Sequence, residues 1–132
     1  MYKDYELTVA AGVTAASPTE FIKEFPPAAI ERLTISFPKG PNREVYVRIL
    51  HEAEYVWPQD PEEWINGENE RVVITGPWEN WDELYQLRIQ MCSPGARLSH
   101  KIIFRFDLAE LGALSPVRNA LDGLRTRFLP IS

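Results

Sequence analysis

His100-Lys101-Ile102-Ile103-Phe104-Arg105-Phe106-Asp107-Leu108 is the most regular run in the chain. Ile102, Phe104, Phe106 and Leu108 fall on one side of it, and Lys101, Ile103, Arg105 and Asp107 on the other. A β-strand turns successive side chains to opposite faces, so this period of two marks a strand with one buried face. The same period recurs upstream. Leu33, Ile35 and Phe37 alternate with Arg32, Thr34 and Ser36; Val45, Val47 and Ile49 with Glu44, Tyr46 and Arg48; Leu87, Ile89 and Met91 with Gln86, Arg88 and Gln90.

Shorter runs complete the set. Tyr5 to Val9 alternates, Thr19 to Phe25 reads as a second strand closed by Pro26-Pro27, and Tyr55-Val56-Trp57 is cut off by Pro58. Arg71 to Thr75 is β-branched and is expected to end at Gly76-Pro77. The runs 33–37 and 45–49, separated by Pro38-Lys39-Gly40-Pro41-Asn42, read as a hairpin. Before residue 109 no segment has the periodicity of a crossover helix. Seven or eight short strands with Pro/Gly turns between them predict an antiparallel β-sandwich of jelly-roll type, formed by residues 1–108.

The last 24 residues change period. Leu111, Leu114, Val117, Leu121, Leu124 and Phe128 recur every three or four positions, the spacing of one helical face. Ser115-Pro116 supplies an N-cap followed by proline at the first helical position. Residues 109–132 are therefore expected to form a short amphipathic helical arm, packed either on its own sandwich or on a neighbouring subunit.

With 132 residues and a net charge of −5, the chain is long enough for one real core and carries no general basic face for phosphates. A nucleic-acid binder is not expected. No apolar run approaches the ~18 residues of a membrane span. The N-terminus Met1-Tyr2-Lys3-Asp4-Tyr5 lacks the features of a secretion signal, so synthesis in a cytoplasm is the default expectation. The one cysteine, Cys92, ends an apolar run and reads as a buried, inert thiol.

All four tryptophans (Trp57, Trp64, Trp78 and Trp81) lie between Glu52 and Glu83, a window with ten acidic residues and one base, Arg71. This predicts a long acidic excursion from the sheet body. Trp57 follows an apolar pair and is expected in the core. Trp64, Trp78 and Trp81 sit among Pro, Gly and Asn in apparent loops, where they can pack internally, plug a subunit interface or stack on sugar rings. Of the acidic residues, Asp60, Glu62, Glu63, Glu68 and Glu70 do not follow the alternating ligand pattern of a calcium loop, so a solvated acidic face is expected. Two histidines, His51 and His100, make a zinc site improbable, and no phosphate loop, nucleophile elbow or Cys/His cluster is present. Catalysis, metal and cofactor are not expected.

Several of these motifs occur in a telling order. Leu33-Thr34-Ile35-Ser36-Phe37-Pro38-Lys39-Gly40 is followed by Val45-Tyr46-Val47-Arg48-Ile49-Leu50, by Trp57-Pro58, and by Trp64-Ile65-Asn66-Gly67-Glu68-Asn69-Glu70. Leu87-Arg88-Ile89 and His100-Lys101-Ile102-Ile103-Phe104-Arg105-Phe106 close the series. Over residues 30–108 this resembles the small β-sandwich virion proteins of tailed phages and proviruses. In those proteins an apolar–proline pair precedes a Trp-Ile-x-Gly turn and a histidine opens the final strand. The family often has Asn-x-Asp near the end of the penultimate strand, where this chain has Cys92-Ser93-Pro94-Gly95.

The resemblance implies a non-catalytic virion component: a capsid decoration, cement or fibre-base subunit. It would associate with itself, for example as a trimer, and with a capsid or tail shell protein. The residues expected at such contacts are Trp64, Trp78 and Trp81 with Arg118, Leu121, Leu124, Arg125 and Phe128. Arg127 adds a third base to the tail. The alternative is a carbohydrate-binding module using the loop tryptophans. A hydrolase working through paired carboxylates of the acidic window ranks lower.

Overall fold

The computed structural model describes residues 2–80 and 83–110. Nine strands carry them: β1 (Tyr2–Val9), β2 (Thr19–Phe25), β3 (Ala28–Phe37), β4 (Tyr46–His51), β5 (Glu54–Trp57), β6 (Ile65–Asn66), β7 (Glu70–Asn80), β8 (Tyr85–Cys92) and β9 (His100–Glu110). The helical arm expected over 109–132 lies outside the described residues beyond Glu110, as do Trp81, Arg118, Leu121, Leu124, Arg125 and Phe128.

Two antiparallel sheets face each other. The first has the order β1-β9-β3-β7 and the second β2-β8-β4-β5, with β6 paired to β4 beside β5. Strands β1 to β4 alternate between sheets, β4 and β5 form a local hairpin, and β7, β8 and β9 alternate again. That strand order is a jelly roll, as the sequence pattern predicts.

The alternating runs bury the faces assigned to them. Leu33, Ile35, Ile49, Leu87, Ile89, Ile102, Phe104 and Phe106 are fully buried between the sheets. The expected hairpin between residues 33–37 and 45–49 does not exist. β3 pairs with β7 and β9, whereas β4 pairs with β5, β6 and β8. The connection after Phe37 instead crosses from one sheet to the other. A period of two reports that one face is buried, and it is silent about which strand lies alongside.

This crossing segment has its own fastening. Asn42 and Arg43 adopt left-handed backbone (φ 57° and 61°). The Glu68 carboxylate accepts hydrogen bonds from the N–H groups of Gly40 and Asn42. Arg43 in turn forms an ion pair with Glu70 at 3.0 Å. Gly67, in the Trp-Ile-Asn-Gly turn, lies so close to Phe37 that a Cβ there would sit 2.7 Å from its ring. Two acids of the expected solvated face therefore hold a loop in place.

The window from Glu52 to Glu83 is not one excursion. It contains β5, β6 and the eleven-residue β7, which runs through Gly76-Pro77 rather than stopping at Thr75. Proline is tolerated because β7 is an edge strand and needs no donor on that side. Gly76 takes φ +106°, and the register slips here, with Ile30 opposite Trp78 and Arg32 opposite Thr75. Across β9 the same two residues of β3 face Leu108 and Asp107. Glu31 is thus a bulged residue against β9 and faces Gly76-Pro77 on β7. The bulge lets both Ile30 and Leu33 point inward, and it carries β7 onward to Trp78.

Candidate interaction surfaces

An aromatic row crosses the interior at one end of the sandwich. Tyr5 meets Phe25 and Phe106 edge-on, with centroids 6.2 and 6.1 Å away. Phe25 stacks on Tyr85 at 5.5 Å, and Tyr85 meets Trp78 at 5.1 Å. Trp78 lies 6.1 Å from Trp57 and 5.1 Å from His51. Edge-to-face geometry places positive ring edges on negative ring faces, which adds to the gain from burial. The Tyr85 hydroxyl is buried in this row without a hydrogen-bond partner among the described residues, and desolvation pushes its pKa far up. Tyr85 is accordingly neutral at any ordinary pH.

The row ends differently on the two open sides of the sandwich. Beside β1 and β2, the Lys23 ammonium lies 5.1 Å over the Tyr5 ring and the Lys3 ammonium 5.9 Å over Phe25. Beside β5, β6 and β7, the sheets part into an apolar cleft of about 510 Å³. Trp57, Pro58, Ile65, Ile74, Pro77 and Trp78 line it. The turn after Gln59, which lines the cleft, exposes Asp60, Glu62 and Glu63. The Asp60 carboxylate accepts the Glu62 N–H at 2.9 Å, and none of the three acids forms an ion pair among the described residues.

Trp57 is buried as its sequence context predicts. Trp78 is not a loop residue: it is on β7, half-buried and engaged with His51, Trp57 and Tyr85. Its Pro/Gly surroundings suggest a loop because a bulged edge strand and a loop use the same residues. Trp64 does precede β6 in a connection, half-buried and outside the lining of the cleft. The Arg48 guanidinium sits 4.0 Å over its ring and 5.1 Å over that of Tyr55.

Arg48 opens a polar chain on the outer face of the second sheet. Its Nε donates to Gln90 Oε1 at 2.8 Å, and Gln90 Nε2 donates to Glu20 Oε1 at 2.8 Å. Glu20 also accepts from Arg88 at 3.0 Å, and Arg88 donates to the Glu52 carbonyl at 2.7 Å. The Arg88 and Gln90 donors hold the Glu20 carboxyl below its usual range. Nothing in the local pattern singles out Arg48, Gln90 or Glu20, since each is simply the outward residue of an alternating strand.

Two further sequence features find a place. Ser93, in the loop that departs from the virion-protein pattern, is fully buried. Its hydroxyl donates to the Ala10 carbonyl and accepts from the Val13 N–H at 3.3 Å, while its backbone bonds Gly12 and Val13. That loop therefore fastens the β1–β2 connection to the end of β8. Cys92 is buried, and desolvation raises its thiol pKa, which makes it inert as expected. Among the described residues no group of three or more His, Cys, Asp or Glu side chains converges to hold a metal ion. Among them, too, no helix is long and apolar enough to cross a membrane.

No family model matches the sequence, and no curated protein matches it. Solved structures are similar only at low identity and low TM-score. One, described as "CBM4 structure and function", is 14% identical with a TM-score of 0.40, covering 79% of this chain and 80% of that one. FlhE is 9% identical with a TM-score of 0.36, over 83% of this chain and 98% of that one. A family two carbohydrate esterase from Cellvibrio japonicus is 10% identical with a TM-score of 0.32, over 83% of this chain and 36% of that one. Likenesses this distant say nothing about what the chain binds.

Proposed function

We propose that this chain is a non-catalytic structural subunit of a larger particle, a virion decoration, cement or fibre-base protein, working by self-association and attachment to a shell protein. The observation that carries the reading is the apolar cleft between β5, β6 and β7. There Trp57 and Trp78 stand at an open side of a sandwich whose opposite side carries lysine ammonium groups over its rings. Apolar surface of this kind gains about 25 cal/mol per Å² when a partner covers it. The order of motifs shared with small phage β-sandwich proteins points the same way, and the arginine-bearing C-terminal segment supplies a natural contact.

Sugar stacking draws less support. A stacking platform needs an open ring face, whereas Trp64 carries Arg48 on its ring and Trp78 is held edge-on among three aromatic neighbours.

The test is the light-scattering mass of the full chain beside a version ending at Glu110, which keeps every strand of both sheets. A defined oligomer that falls to monomer on truncation is expected, with an unchanged β-sheet circular dichroism spectrum. A full chain that stays monomeric at all concentrations would remove self-association. Tryptophan quenching on titration with polysaccharides would then favour the sugar reading.

A further inference from the structure

We infer that β7 is a self-pairing edge: its segment Arg71–Thr75 lies antiparallel to the same segment of a second copy, about a two-fold axis beside Val73. The inference rests on the self-association proposed above and names one surface through which it works.

The edge is open. β7 ends its sheet, with β3 on one side and no strand on the other among the described residues. Among them, too, no main-chain hydrogen bond reaches Arg71–Thr75 from anywhere but β3. Ladder bonds alternate in direction along a strand, so an edge strand turns half of its N–H and C=O groups outward. Val73, in the middle of the segment, is 53% exposed.

The segment is complementary to itself. Left-handed backbone at Asn69 (φ 50°) and Gly76 (φ 106°) bounds the regular stretch, and Pro77 beyond it has no N–H to donate. Between these limits Val72, Val73, Ile74 and Thr75 are β-branched, a residue class that pairs well across strands. A two-fold axis normal to the sheet keeps inward residues opposite inward ones, so it passes beside a single residue. About Val73, the pairs are Val73 with Val73, Val72 with Ile74, and Arg71 with Thr75, and no like charges meet. About Val72, the carboxylate of Glu70, which forms an ion pair with Arg43, would be set against Ile74. About Ile74, Gly76 and Pro77 would enter the ladder.

The remaining edges resist the same pairing. The two central registers of β1, about Tyr5 and Glu6, oppose Asp4 to Glu6 or Glu6 to itself. The central register of β2, about Ile22, opposes Glu20 to Glu24. Like charges directly opposite destabilise a strand pair, and charges of this kind keep sheet edges from taking up a second chain. β5 is only four residues long and is followed by Pro58. β7 carries no charge from Val72 to Trp78. A ladder this short covers less than the roughly 1,200 Å² that a stable complex buries. It therefore sets the orientation of copies that a second contact holds together, the one probed by truncation at Glu110.

Single cysteines in the full chain test this, since Cys92 is buried. Residues directly opposite in an antiparallel pair have Cα atoms about 4.5 or 5.5 Å apart, within disulfide reach. Val73→Cys, mildly oxidised, is expected to give a covalent dimer joined 73 to 73. Arg71→Cys and Thr75→Cys should each stay unlinked alone and join 71 to 75 when mixed. Oligomers without these links would overturn the edge. Linking of Arg71→Cys to itself as readily as to Thr75→Cys would overturn the register. A second variant, Val73→Lys, sets two ammonium groups opposite each other at an exposed position. It should weaken assembly roughly fivefold with the urea midpoint unchanged, and unaltered assembly would count against the pairing. A monomeric mass for the unmodified chain would instead strike the self-association reading, so the two failures are separable.

Discussion

The two open sides of this sandwich bury comparable aromatic groups and treat them in opposite ways. Beside β1 and β2, Tyr5 and Phe25 are covered by half-buried lysines of the same chain, whose ammonium groups lie over the ring faces. Beside β5, β6 and β7, the buried Trp57 and the half-buried Trp78 line a cleft open to solvent. One side is closed by its own chain, and the other leaves its rings along an open cleft. Under the proposed function, the first set of aromatic residues serves stability and the second association.

The sharpest way to break the comparison is truncation of one ring on each side. Phe25→Ala removes a ring with no exposed surface and should cost about 3–5 kcal/mol in urea unfolding. Trp78→Ala, at a half-buried ring, should cost only about 2 kcal/mol but should lower the light-scattering mass. If Trp78→Ala destabilises as much as Phe25→Ala and leaves the mass intact, the cleft is merely an imperfect core.

A smaller effect is expected on the outer face of the second sheet. Arg48→Met keeps the stem but removes the charge between Trp64 and Tyr55 and the donor to Gln90. The loss should be roughly 1 kcal/mol, accompanied by a shift in tryptophan emission. An unchanged spectrum would mean that Arg48 does not rest on Trp64 in solution.

Acid comes last in the ranking. The Glu20 carboxyl is held down by Arg88 and Gln90, and that of Glu68 by the N–H groups of Gly40 and Asn42. A depressed folded-state pKa means stability that is present above the unfolded value, about 4.3. It is lost as pH falls through the folded value. The urea midpoint should therefore decline below about pH 4.3. Glu20→Gln and Glu68→Gln should each flatten that decline, and a slope identical to that of the parent chain would deny those carboxylates a role.

The sandwich was legible because burial on one face imposes a period of two, and Ile102, Phe104, Phe106 and Leu108 obey it. Which strands lie side by side was not, because Leu33–Phe37 and Val45–Ile49 show the same alternation in different sheets as they would in one hairpin. Trp57 was readable from its apolar neighbours. Trp78 was not, since Gly76-Pro77 signals a chain break unless the strand is known to be an edge. The Arg48–Gln90–Glu20–Arg88 chain joins residues of three strands, and its members carry no mark in their own neighbourhoods. The cleft was invisible for the same reason: Ile65 and Ile74 meet Trp57 only after the two sheets have come together.

The pairing of β1 with β9 has a consequence in time. Every residue of β1 from Tyr2 to Val9 takes its partner from 100–107, and β1 forms one edge of its sheet with no other neighbour among the described residues. While the chain is being made, β1 stays without the mate it has among the described residues until β9 appears. Lys3, Asp4 and Glu6 place charges along it in the meantime, which discourages adhesion to other unfinished chains. Closure of this sheet waits on the most distant contact in the fold, which places the protein among slow, topology-limited folders.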